Sequence, residues 1–177
     1  MRRPLITAAI TAVVTTAAFA AATFAMAASA ATVVTATPSA LAEQIPPAAL
    51  ARPAAWASLL ARATARGEPV VVLFSTPGCP WCELLRRDHL QYLARDSRQY
   101  GVQVVELDIT DHRPFSDGGS AAEVARTLGI RFSPTVAFVG AAGELAERLI
   151  GYTSPDFYGA YLDERIKTAR AVLAVPR

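Results

Sequence analysis

Val70-Val71-Val72-Leu73-Phe74-Ser75-Thr76-Pro77-Gly78-Cys79-Pro80-Trp81-Cys82 is the stretch on which the fold turns. From Pro69 to Ser75 the chain is apolar and β-branched without polar alternation, the pattern of a strand buried on both faces. Thr76-Pro77-Gly78 supplies turn residues. A helix is expected from Pro80 to about Ser97, because proline suits a first helical turn, where its missing N–H would lack a partner anyway. The only two cysteines of the 177-residue chain therefore stand at the junction of a buried strand and a helix.

That placement points to a dithiol/disulfide redox pair. A thiolate at a helix N-terminus faces unpaired N–H groups and the positive end of the macrodipole, which lowers its pKa from about 8.5 into the range of roughly 3.5 to 7.5. Cys79 is then a nucleophile at neutral pH. Cys82, one turn further on, is placed to attack a mixed disulfide formed on Cys79 and release the partner. A structural zinc site needs four ligands, and neither a second Cys-x-x-Cys nor a His-x-x-x-His is present, so no metal site is assigned. A purely structural disulfide across so short a loop would constrain little of the unfolded chain.

Outward from this centre, Trp56, Leu59, Leu60 and Ala63 fall at helical spacing and predict a helix over 54–66, ending at Gly67. Val102–Ile109 reads as a second strand ending near Asp108, and residues 111–119 as a polar loop. Ser120-Ala121-Ala122-Glu123 has capping-box spacing and opens a helix to about Leu128. Thr135–Val139 and Glu144–Ile150 flank Gly140-Ala141-Ala142-Gly143, an antiparallel hairpin. A last helix follows Ser154-Pro155, with Phe157, Tyr161, Leu162, Ile166 and Ala169 as its apolar stripe. The order αβαβαββα predicts an α/β fold, a mixed central sheet with helices on both faces.

The N-terminus has a different composition. After Arg2 and Arg3 no charged side chain occurs until Glu43, and small-x-small sites end at Ala27, Ala30 and Ala42. Residues 1–42 read as a targeting segment with cleavage after Ala42, the alternative being an uncleaved anchor over 5–34. Residues 43–68 are then a connector and first helix, and 69–177 the main domain. Without Arg2 and Arg3 the basic residues number 15, equal to the 15 acidic ones. That balance argues against a nucleic-acid partner, and about 135 residues suit one domain.

This order, with Cys-x-x-Cys opening the second helix, resembles the thioredoxin superfamily over about 69–168. Leu128-Gly129-Ile130-Arg131-Phe132-Ser133-Pro134-Thr135 is similar to the thioredoxin segment that enters a strand through a cis-proline. The resemblance implies that Pro134 sets the Ser133 backbone opposite Cys79, where an extended substrate can pair with it, and that Gly151 flanks the same groove. Trp81 is read as part of an exposed docking surface. The departures are Leu73, where the family usually has a buried acid; Arg87, where a helix-kinking proline is common; and Pro-Trp between the cysteines. Glu83 is a candidate proton relay or simply a favourable first-turn carboxylate. His89, two turns beyond Cys82, is read as a packed or partly exposed helix residue, and His112 as a solvated loop residue.

With the leader, these features resemble exported bacterial thioredoxin-like proteins, including those of sulfur-oxidation and cytochrome c maturation systems. The expectation is a periplasmic, monomeric thiol:disulfide oxidoreductase acting on protein thiols and disulfides. It needs no cofactor beyond the reversible Cys79–Cys82 bond and is recharged by a membrane electron donor. Reduction is favoured over oxidation on the resemblance alone. The alternatives are a soft-metal module holding an ion such as Cu(I) on two thiolates, an oxidant of folding chains, and a binding module whose cysteines stay locked.

Overall fold

A computed structural model describes residues 49–153 and 155–175. The leader, its cleavage site and the alternative anchor lie outside the described residues. Among the described residues no helix is long and apolar enough to cross a membrane.

Four strands, β1 (Val70–Ser75), β2 (Gln103–Asp108), β3 (Thr135–Gly140) and β4 (Gly143–Ile150), form one sheet in the order β2-β1-β3-β4. β1 runs parallel to β2 and antiparallel to β3, and β3 pairs antiparallel with β4. Burial follows this order. The inner strands β1 and β3 are buried at every position, whereas β2 mixes buried with partly exposed residues and β4 is buried only at Leu145. The uninterrupted apolar run at 70–74 is thus the signature of an inner strand.

Two cores result. On one face Val70, Val72 and Phe74 meet Ala63 of α1 (Trp56–Ala65) and Ala121 and Ala125 of α5 (Ala121–Thr127). On the other, Val71, Leu73, Val136 and Phe138 meet Leu85, Leu90 and Leu93 of the second helical segment and Leu162 and Ile166 of α6 (Pro155–Ala174). Period-2 alternation along β1 therefore sends its side chains to two opposite sets of helices.

The second helix departs from the sequence expectation. Instead of one helix to Ser97 there is α2 (Pro80–Leu85), a π-helical stretch at Arg86–Leu90, α3 (Gln91–Arg95) and α4 (Ser97–Tyr100). The wide turn includes Arg87, where the resemblance places a kinking proline; an extra residue in the ladder bends a helix by another route. The stop comes at Gly101, whose left-handed φ of 61° ends α4.

Other ends are held by distant groups. Ala55 gives α1 no side-chain cap, and Asp117 takes its place by accepting bonds from the Trp56 and Ser58 amides at 2.9 and 2.8 Å. Ser120 caps α5 by accepting from the Glu123 amide at 3.3 Å. The β3–β4 turn is tied to α1 by Ala141 N–H donating to Thr64 Oγ1 at 2.9 Å. A Cβ on Gly140 would stand 3.2 Å from that oxygen and from a Leu145 methyl, so glycine permits the approach. Along the outer edge of β2, Glu106 N–H donates to the Ala51 carbonyl, which covers part of an otherwise open edge.

Phe138 lies in β3, fully buried against the α6 side of the sheet. Phe138→Ala is expected to lower unfolding free energy by about 3–5 kcal/mol, measured by urea denaturation. A loss below about 1 kcal/mol would contradict the packing described for that face.

Candidate active site

β1 delivers the chain to the end of the sheet at Ser75, and the Thr76-Pro77-Gly78 turn reverses it, with Cys79 N–H donating to the Thr76 carbonyl. Gly78 takes φ 70°, open to glycine at little cost. Cys79 is the N-cap of α2 and Pro80 its first residue. The Cys79 sulfur accepts the Cys82 amide at 3.1 Å, so one orphan donor of the helix end is aimed at it.

Cys79 and Cys82 close a disulfide with their Cα atoms 5.3 Å apart. The two sulfurs are not equivalent. Cys82 is 1% exposed whereas Cys79 is only partly buried. Of the two, Cys79 is the one open to solvent and Cys82 is closed off from it.

The Ser133–Pro134 peptide is cis. Ser133 Oγ and Thr76 Oγ1 lie 2.9 Å apart and share a hydrogen bond, which ties the proline loop to the turn before Cys79. Gly151 N–H donates to the Pro134 carbonyl at 2.8 Å. Trp81, Ser133, Pro134 and Gly151, all singled out from the sequence, line one groove with Tyr152 and Thr153. Trp81 is 56% exposed at its rim.

A second cavity of 530 Å³ has Cys79 in its wall and is lined by charge. Glu106 of β2 accepts Ser75 Oγ–H at 2.6 Å and two guanidinium N–H groups of Arg86 at 2.9 and 2.8 Å. Arg86 also bonds Glu83. The hydrogen bonds and charge of Glu106 hold the Arg86 guanidinium still more firmly protonated than usual. Across the cavity Arg113 and Arg52 pair with Asp111 and hold its carboxyl well below the usual carboxylate range.

Leu73 is buried in the core and contributes no polar group here. Its register partner on β2 is Glu106. Ser75, Arg86 and Glu106 were not recognised from the sequence, although one signal was present: Glu106 has the parity of Val104, which faces the α2 side. A carboxylate at an inward position of a valine-rich strand marks a polar site at the strand's end.

Neither histidine joins the cysteines. His112 is exposed. His89 packs its ring 5.8 Å from Tyr152 and 5.4 Å from Tyr158, centroid to centroid. Beside it in the π turn, Asp88 accepts the Tyr152 hydroxyl at 3.1 Å, so the turn supports the floor of the groove. Among the described residues no group of three or more His, Cys, Asp or Glu side chains is placed to hold a metal ion.

A family model described as a thioredoxin-like domain matches residues 56–166. No curated protein matches the chain. Similar solved structures include a mutant thioredoxin from Halobacterium salinarum, with a TM-score of 0.47 and 18% identity, covering 68% of this chain and 93% of that one. The reduced periplasmic thioredoxin SoxS of Paracoccus pantotrophus gives 0.43 and 22%, covering 58% and 99%. Oxidised mitochondrial thioredoxin 3 of Saccharomyces cerevisiae gives 0.43 and 19%, covering 62% and 87%. The chain belongs to the thioredoxin-like family, and a Cys-x-x-Cys disulfide in this fold supports thiol–disulfide oxidoreductase activity.

The tyrosines behind the groove yield a pH prediction. Burial, with help from Asp88, pushes the Tyr152 phenol up to about 12, and burial raises Tyr158 further. Unfolded tyrosine titrates near 10, so between about pH 10 and 12 the native state holds protons that the unfolded state has lost. Stability is fully present below about pH 10 and is lost as pH rises through that window. The Tyr158 hydroxyl has no hydrogen-bond partner among the described residues. Tyr158→Phe is expected to leave neutral-pH stability unchanged or raise it by up to about 1 kcal/mol, while Tyr152→Phe lowers it by about 1 kcal/mol. Urea titrations across pH measure both, and a clear loss in Tyr158→Phe would contradict the assignment.

Proposed function

We propose that this protein is an exported thiol:disulfide oxidoreductase that reduces disulfides in partner proteins. The observation that carries this reading is the asymmetry of the pair: an accessible Cys79 at a helix start, beside an apolar groove, and a buried Cys82 one turn behind it.

The reaction balances as two exchanges. With the pair reduced, the Cys79 thiolate attacks one sulfur of a partner disulfide; a Cys79–partner bond forms and the partner's other sulfur leaves as thiolate. Cys82 then loses its proton and attacks Cys79 Sγ. The mixed disulfide breaks, the partner's second thiol is released, and the Cys79–Cys82 bond carries away the oxidising equivalent. An extended partner segment would lie along Ser133, Pro134 and Gly151 as an added strand, with Trp81 against its side chains.

Export is inferred from the basic start, the long uncharged run and the small-x-small sites of residues 1–42. In an oxidising compartment a reductant needs its pair re-reduced, so a membrane electron donor is part of the proposal. Nothing in the scheme calls for a bound cofactor or a second copy of the chain.

Cys79→Ser is expected to reduce turnover of a protein disulfide, such as reduction-induced precipitation of insulin, to the level without enzyme. Retained turnover would overturn the assignment.

A further inference from the structure

We propose that the Glu83–Arg86–Glu106 cluster sets the redox poise of the Cys79–Cys82 pair, its surplus carboxylate making the couple more reducing. This deepens the reading of the protein as a reductant and rests on it.

The cluster shares the charged cavity with Cys79. Glu83 is one turn beyond Cys79 on the same helix, its amide donating to the Cys79 carbonyl, and Arg86 is one turn beyond Cys82. Arg86 is bonded by both carboxylates, Glu106 from the neighbouring strand and Glu83 from its own helix. One cation between two anions leaves one negative charge. Elsewhere in the cavity Arg52 and Arg113 enclose Asp111, and Asp108 accepts two bonds from Thr110. Three guanidinium groups thus face four carboxylates, and Glu83 and Arg86, on the helical segment that the cysteines open, together with Glu106 bonded to Arg86, carry the negative excess.

The consequence follows from where charge appears. In the exchange with an external dithiol, the Cys79–Cys82 bond breaks and the external pair becomes a disulfide. One proton goes to Cys82, one to solvent, and Cys79 is left as thiolate. The disulfide carries no charge and the reduced pair carries one. A negative surplus opposes that thiolate, so it disfavours the reduced form and gives a stronger reductant. The α2 N-terminus and the Cys82 amide act in the opposite sense. The cluster is a counterweight that residues outside the Cys-x-x-Cys motif apply.

The test is a set of charge changes read in the full-length protein by two quantities that need no protein substrate. These are the pH dependence of Cys79 thiolate absorbance and the equilibrium constant with glutathione. Glu106→Gln should lower the thiolate pKa and favour the reduced form by about three- to tenfold, tenfold being about 30 mV for a two-electron couple. Glu83→Gln, on a side chain 53% exposed and so harmless to folding, should move both quantities the same way. Arg86→Gln should raise the thiolate pKa, and Arg86→Lys, which keeps the charge but loses the bidentate geometry, should stay near wild type. Opposite signs for acid and arginine neutralisation support the proposal. Shifts of the same sign, or none beyond about twofold in Glu83→Gln and Glu106→Gln, overturn it. Failure of the reductase reading shows separately, as insulin turnover that survives Cys79→Ser.

Discussion

Burial of β1 on both faces is the constraint from which the rest of the architecture follows. Val70 to Phe74 exposes no side chain to water, so each parity of the strand needs its own covering layer. The helices α1 and α5 supply one, and the α2–α3 segment with α6 the other. A strand so enclosed needs neighbours on both edges, and β2 and β3 provide them. Its backbone is then fixed at every residue, and its last residue, Ser75, holds the turn that presents Cys79 at the sheet's end. The reactive sulfur is positioned by the most deeply packed element of the molecule, although it sits at the surface.

That position has different surroundings on its two sides. Toward Pro134 the wall is apolar and edged by Trp81; toward β2 it is charged, with Arg86 held between two carboxylates. The first side suits contact with an extended chain. The second acts through the electrostatic stability of a thiolate. Recognition and poise thus rest on two different sets of side chains, one around Pro134 and Gly151 and one around Arg86 and Glu106, with no lining residue in common. The π turn belongs to both arrangements. Arg86 in it reaches Glu106, and Asp88 in it reaches Tyr152 under the groove.

Features encoded locally were legible in the sequence. The unalternating run of β1, the Gly140–Gly143 turn, the Ser120 cap and the apolar stripe of α1 each depend on residues within a few positions of one another. The stripe of α6 was legible in part: Leu162, Ile166 and Ala169 are buried as expected, but Phe157 and Tyr161 are exposed, and Tyr158, one turn before Leu162, takes the inward place. Cys79, Cys82 and the Ser133-Pro134 segment were legible as motifs. What escaped depends on partners far along the chain. No proline or glycine announces the π turn, whose Arg86 and Asp88 are tied to residues 20 and 64 positions away. Asp117 caps α1 from 61 positions away and looks like an ordinary loop aspartate. Glu106 was hidden for a related reason: its neighbours Ser75 and Arg86 are assembled by the sheet and by helix packing, and only its parity in β2 pointed inward.

The central claim is that Cys79 exchanges with an outside disulfide and Cys82 resolves the product. Trapping tests this most directly. Reduced full-length protein carrying Cys82→Ser is mixed with a disulfide-bonded partner protein, and the products are separated without reductant and mapped by mass spectrometry. The account predicts a stable covalent adduct joined through Cys79, dissolved by added dithiol and absent from the wild type, where Cys82 releases it. An adduct that accumulates equally in the wild type, or none in the variant, would contradict it.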